Sequence, residues 1–154
     1  MAKIINGVQS DKNVKVIVLH GGSYYSSGNE LSALAKWIGA EESPIDEMNA
    51  GVHGGMVGCL MAMKNSVKPI VAVVSGGCHG IGFTKLSFAD FIYCTPNANF
   101  RTPFMTSFQS PEGSATYSFP RQFGQRRANE VLLLDKPITA EEAVRSGFAN
   151  GILP

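Results

Sequence analysis

Two apolar, β-branched runs each end in a pair of glycines, and this pattern restricts the fold more than any other feature. Residues 14–19 (Val-Lys-Val-Ile-Val-Leu) run into Gly21 and Gly22, and residues 70–74 (Ile-Val-Ala-Val-Val) into Gly76 and Gly77. Such runs read as buried strands. Each is followed by a loop of small residues and then by helical spacing. A third short strand is expected over residues 91–94. Strands alternating with helices predict α/β architecture. A chain of 154 residues, 44% hydrophobic and 16% charged, fits one domain over residues 1–154 with a single core.

The helices have their own signals. Ile45, Met48, Val52, Met56, Leu60 and Met63 recur at three- and four-residue spacing, one face of a helix that Lys68-Pro69 ends. A helix is expected after Gly82 through Ala89, and another over residues 127–134. Ser110-Pro111-Glu112 reads as a cap, a proline at the first helical position and an acid in the first turn. Thr139 with Glu142 forms a capping box, and Gly147 suits the stop of that last helix. The chain opens inside a helix and stops as residues 152–153 begin a strand, so it reads as an incomplete module.

Charge and composition exclude several classes. The formal charge is +1 with Lys and Arg scattered, so no general field for nucleic acid or an anionic membrane is expected. No apolar run approaches the roughly 18–20 residues of a membrane span, and no secretory or peroxisomal address is visible. Cys59, Cys78 and Cys94 are dispersed without CxxC spacing, the pattern of reduced intracellular thiols. His20, His53 and His79 share no metal-ligand or nucleophile spacing, so a metal site is not expected. Gly76, Gly80 and Gly82 give GxxxGxG, which is neither a dinucleotide fingerprint nor a Walker loop.

The two glycine junctions, residues 24–31 and 76–82, lie where helix amino termini present free N–H groups at a sheet edge. A pair of such junctions can aim two N–H donors at one oxygen. Two tight turns without a ligand satisfy the same pattern.

Several motifs recur in order along nearly the whole chain. They are Tyr-Tyr-Ser-Ser-Gly-Asn-Glu-Leu (24–31), Lys-Pro-Ile-Val-Ala-Val-Val-Ser-Gly (68–76) and Gly-Ile-Gly (80–82). Phe-Arg-Thr-Pro-Phe (100–104), Gln-Ser-Pro-Glu-Gly (109–113) and Ile-Thr-Ala-Glu-Glu-Ala (138–143) follow. In these stretches the chain resembles the crotonase, or enoyl-CoA hydratase/isomerase, superfamily, and within it the peroxisomal-type 3-enoyl-CoA to 2-enoyl-CoA isomerases. The resemblance implies a crotonase-like ββα superhelix core, here incomplete at both termini.

It also implies a site. The backbone N–H groups of Asn29 and Ile81 would form an oxyanion hole. Ser26, Ser27, Gly28, Asn29, Glu30, Leu31 and Gly80 would line the coenzyme A side, with Phe104 and Phe108 toward the acyl group. The two glutamates of the hydratase branch are replaced by Thr84 and Phe104, which argues against water addition by that route. Glu112 stands where the isomerase branch keeps its single acid/base. Phe104, Phe108 and Phe119 are apolar neighbours able to raise its pKa, which an N-terminal helix dipole would oppose. The implied substrate is an acyl-CoA thioester, with no metal or redox cofactor, a homotrimeric assembly, and a peroxisomal or mitochondrial location in fatty acid β-oxidation. The alternative is a non-catalytic acyl-CoA-binding or scaffold module of the same fold.

Overall fold

The computed structural model describes residues 1–29 and 52–154; Glu30, Leu31, Trp37, Ile45 and Met48 lie outside them, as do the side chains of residues 52–54. Helix α1 (Ala2–Gly7) precedes strand β1 (Ile17–His20). A π-helical turn (Val52–Val57) runs into α2 (Gly58–Lys64), then β2 (Ile70–Val74) and β3 (Gly77–His79). Helix α3 (Ile81–Thr84) tightens into a 3-10 turn (Lys85–Phe88) before β4 (Phe91–Cys94) and β5 (Asn99–Arg101). Helices α4 (Ala115–Phe123) and α5 (Gln125–Leu133), strand β6 (Ile138–Thr139), α6 (Ala140–Arg145) and β7 (Gly151–Ile152) complete the order.

Four strands form a parallel sheet in the order β1-β2-β4-β7. A second sheet orders β3-β5-β6, with β3 and β5 parallel and β5 and β6 antiparallel. The expected strands at 70–74 and 91–94 are β2 and β4, and β2 is central. Its Ile70, Ala72 and Val74 are wholly buried while Val71 and Val73 are half-buried. The first apolar run differs from expectation. It begins as a strand only at Ile17 and lies at the edge of the sheet among the described residues, where Val16 is 44% and Val18 is 53% exposed. Hydrophobic composition alone does not separate an edge strand from a central one; the number of neighbours does.

The main core joins that sheet to α3, α4 and α6. Phe83 of α3 stacks on Phe119 of α4 with ring centroids 4.7 Å apart, on Phe100 of β5 at 5.3 Å and on Phe148 at 5.2 Å. Such aromatic pairs add about 0.5–1.5 kcal/mol each beyond the area they bury. A smaller cluster of Ile5, Ala62, Met63 and Ile70 holds α1 and α2 under β2.

Two helix starts depart from the sequence expectation. Ser110-Pro111-Glu112 does not open a helix: Gly113 and Ser114 both take left-handed φ (+63° and +61°), and α4 begins only at Ala115. Two consecutive residues of that hand cannot continue a right-handed first turn. Thr139 does cap α6 by accepting from the Glu142 N–H at 3.2 Å. The Glu142 carboxylate, however, does not close the box. It takes a bidentate bond from Arg127 (2.5 and 2.9 Å), which ties α6 to α5. Arg127 is therefore half-buried and paired.

Candidate active site

The two glycine loops meet. After β1 the chain turns and runs beside β3, with a parallel bridge between Ser26 and Cys78. Tyr25 and Ser26 both donate their N–H to Gly77 O at 3.1 Å, and His79 N–H donates to Ser26 O at 2.8 Å. The contact needs glycine on both sides. A Cβ on Gly28, whose φ is +91°, would lie 3.1 Å from His79 O, and one on Gly82 would lie 2.6 Å from Ser26 Cβ. A Cβ on Gly80 (φ +53°) would sit 3.7 Å from Gly28 Cα, so the loops touch backbone to backbone. Asn29 and Ile81 follow directly from these two glycines. Ile81 is the first residue of α3, whose opening N–H groups have no partner within the helix. Ser26 Oγ accepts from Gly28 N–H at 3.2 Å and holds the first loop in shape. Ser27 is part of the same turn.

Glu112 lies over α3. Its Oε1 accepts from the Thr84 hydroxyl at 3.1 Å, and its Oε2 is buried without a partner among the described residues. The residue after it presses on the same helix: a Cβ on Gly113 would fall 2.2 Å from Thr84 Oγ1 and 3.4 Å from Ile81 Cδ1. The Glu112-Gly113 segment thus packs against both ends of α3, the carboxylate on Thr84 and Gly113 beside Ile81. Burial raises the Glu112 pKa from 4.5 to about 7, against the opposing pull of the Thr84 hydrogen bond. Glu112 precedes α4 by a turn, so the expected first-turn dipole is replaced by this hydroxyl.

The segment leading to Glu112 is anchored from below. Asp135, itself left-handed (φ +53°), accepts from the Met105 and Thr106 N–H groups at 3.2 and 2.8 Å and from the Thr106 hydroxyl. Burial works against the Asp135 charge, yet these bonds hold its pKa below the ordinary value. Phe104 is 2% exposed and belongs to the main core. Phe108 corrects an expectation: its ring is 98% exposed, with φ of +54°, so it builds no apolar wall around Glu112. Phe119 is buried in the ring cluster on Phe83, the residue preceding Thr84.

Two further features lie outside the sequence reading. Thr84 enters it only as a replaced hydratase carboxylate, and the signal that would have paired it with Glu112, a glycine at 113, is silent without a structure. His79, beside Gly80, shares a hydrogen bond of 3.1 Å between its Nδ1 and the Tyr24 hydroxyl. Its pKa is lowered, mainly by burial and then by Arg101. Among the described residues no group of three His, Cys, Asp or Glu side chains is placed to hold a metal, and no helix is long and apolar enough to cross a membrane.

A parallel sheet, a second sheet whose β3 carries two touching glycine loops, and a half-buried carboxylate over the helix that follows together fit the crotonase fold. The sequence profile described as enoyl-CoA hydratase/isomerase matches residues 1–154, and the chain belongs to that family. Enoyl-CoA delta isomerase 2 of Homo sapiens is 34% identical over 154 residues, covering 99% of this chain and 38% of that protein. The peroxisomal enoyl-CoA delta isomerase 3 of Mus musculus is 34% identical over 150 residues, covering 97% and 46%. An enoyl-CoA hydratase/isomerase structure from Cupriavidus metallidurans CH34 superposes with a TM-score of 0.82 at 26% identity, covering 98% of this chain and 55% of that one. The chain thus spans less than half the length of these two curated relatives.

Proposed function

We propose that the protein is an isomerase that moves the double bond of a 3-enoyl-CoA to the 2-position, with Glu112 as its only acid/base. The observation that supports this most directly is the half-buried Glu112 carboxylate, one oxygen of which is buried without a partner among the described residues, with a pKa raised to about 7. In a 3-enoyl thioester the C2 proton is acidified by both the carbonyl and the alkene. Glu112 takes that proton; the C2–H electrons flow into the carbonyl and give a dienolate whose charge rests on the thioester oxygen. The backbone N–H groups of Asn29 and Ile81 are the donors assigned to that oxygen, and such donors are worth about 3–4 kcal/mol each in other enzymes. Glu112 then returns the same proton to C4, and the double bond closes between C2 and C3. One group suffices because proton, electrons and atoms balance within the substrate.

A carboxylate of ordinary pKa is a poor acid in the second step, and a fully neutral one a poor base in the first. A value close to the working pH serves both. Thr84 and Phe104 at the hydratase positions leave no second carboxylate there for activating water. By the same resemblance the protein acts in fatty acid β-oxidation, in peroxisomes or mitochondria, as a homotrimer. The test is direct. Purified chain is mixed with a 3-enoyl-CoA, and the ultraviolet absorbance of the conjugated thioester is followed. Glu112→Gln is expected to lower the rate by about 10²–10⁴-fold. An unchanged rate in that variant overturns the mechanism. Calorimetric binding of the thioester with no turnover favours the scaffold alternative.

A further inference from the structure

The two oxygens of Glu112 have different surroundings, and the difference traces to one side chain. Thr84 is completely buried on α3, its hydroxyl donates to Oε1 at 3.1 Å, and Oε2 is buried with no partner among the described residues. We propose that Thr84 is the positioning residue of this site: it pins Glu112 through Oε1 and leaves Oε2 as the oxygen that takes the proton and gives it back. The role given to Oε2 rests on the isomerase reading; the tether does not.

Three observations support the assignment. The first is the glycine that makes the contact available. Gly113 adopts φ +63°, and any Cβ there would sit 2.2 Å from Thr84 Oγ1 and 2.7 Å from Thr84 Cβ. A larger residue would push the carboxylate off the hydroxyl, so the close approach is a property of the Glu112-Gly113 pair. The second is what proton return requires. C2 and C4 lie on one edge of the substrate, and a carboxylate free to spin about its terminal torsion would offer either oxygen in either direction. A bond to Oε1 removes that freedom, the ordering that proximity catalysis depends on. The third is where Thr84 stands. It shares α3 with Ile81, whose side chain also meets Gly113. The carboxylate and the N–H assigned to the thioester oxygen are therefore fixed to one short rigid element. Thr84 touches no reacting atom and acts through Glu112. Its bond also favours the ionised carboxylate, partly offsetting burial.

The experiment compares Thr84→Val, which keeps the branched shape and removes the donor, with Thr84→Ser, which keeps the donor, both in the full chain. The first readout is an infrared titration of the Glu112 carboxyl stretch, assigned by its loss in Glu112→Gln. The second is kcat and KM against pH with a 3-enoyl-CoA. In Thr84→Val the Glu112 midpoint is expected to rise by about one pH unit. Its kcat is expected to fall about tenfold while KM stays within about twofold. Thr84→Ser is expected to return both toward the parent, which a purely space-filling role would not predict. An unmoved midpoint in Thr84→Val, or a Ser variant that behaves like Val, overturns the tether. The infrared arm needs no turnover. A parent chain without isomerase activity would therefore overturn the role of Oε2 and the isomerase reading, and leave the titration to decide on Thr84.

Discussion

At Glu112, burial ties protein stability and reactivity to the same proton with opposite signs. The folded pKa is raised to about 7 from an ordinary 4.5, so between those values the folded chain holds a proton that the unfolded chain has released. Stability therefore falls as pH rises through that interval and levels off above it. Glu112→Gln cannot ionise and escapes the penalty. Urea unfolding should find the variant more stable than the parent by about 3 kcal/mol near pH 8, and nearly equal to it near pH 4. The parent's kcat/KM should climb over the same interval, because the base must be charged. The motif names Glu112 as the candidate acid/base, but its surroundings were not legible from the sequence. Ser-Pro-Glu carries the local signs of a helix start, yet the left-handed φ of Gly113 and Ser114, with Gly113 packed on Thr84 and Ile81, holds the helix back to Ala115. Phe108 misled for the same reason: an aromatic four residues from an acid says nothing about which way its backbone turns.

Among the elements, α3 carries the heaviest structural duty for its four residues. Phe83 anchors it to the ring cluster from one side while Thr84 faces Glu112 on the other. Removing the partner ring should loosen both. Phe119→Ala is expected to cost about 3–5 kcal/mol in chemical denaturation, and to lower the rate of the proposed isomerisation through its contact with Phe83. The longer strands were readable because β-branched runs such as 70–74 declare themselves. Strands β3, β5 and β6 were not, since two or three residues hold no periodicity and are strands only through the partners that the fold brings to them. The edge position of β1 belongs to the same class of information: its sequence states a strand, and the sheet order states which kind.

At the scale of the whole molecule, a parallel sheet and a smaller mixed one are stitched by backbone contact between loops roughly fifty residues apart in sequence. The order of motifs made the α/β class and the family visible from the sequence, whereas the stitch itself depends on distances that no motif encodes. Its consequence is asymmetric. A Cβ on Gly28 would press to 3.1 Å from His79 O, whereas one on Gly80 would rest in ordinary contact at 3.7 Å from Gly28 Cα, leaving only the strain of its positive φ. Gly28→Ala should therefore lower stability, measured by urea unfolding, more than Gly80→Ala does. Drift at the two positions would then be unequal, with the second glycine the freer of the pair.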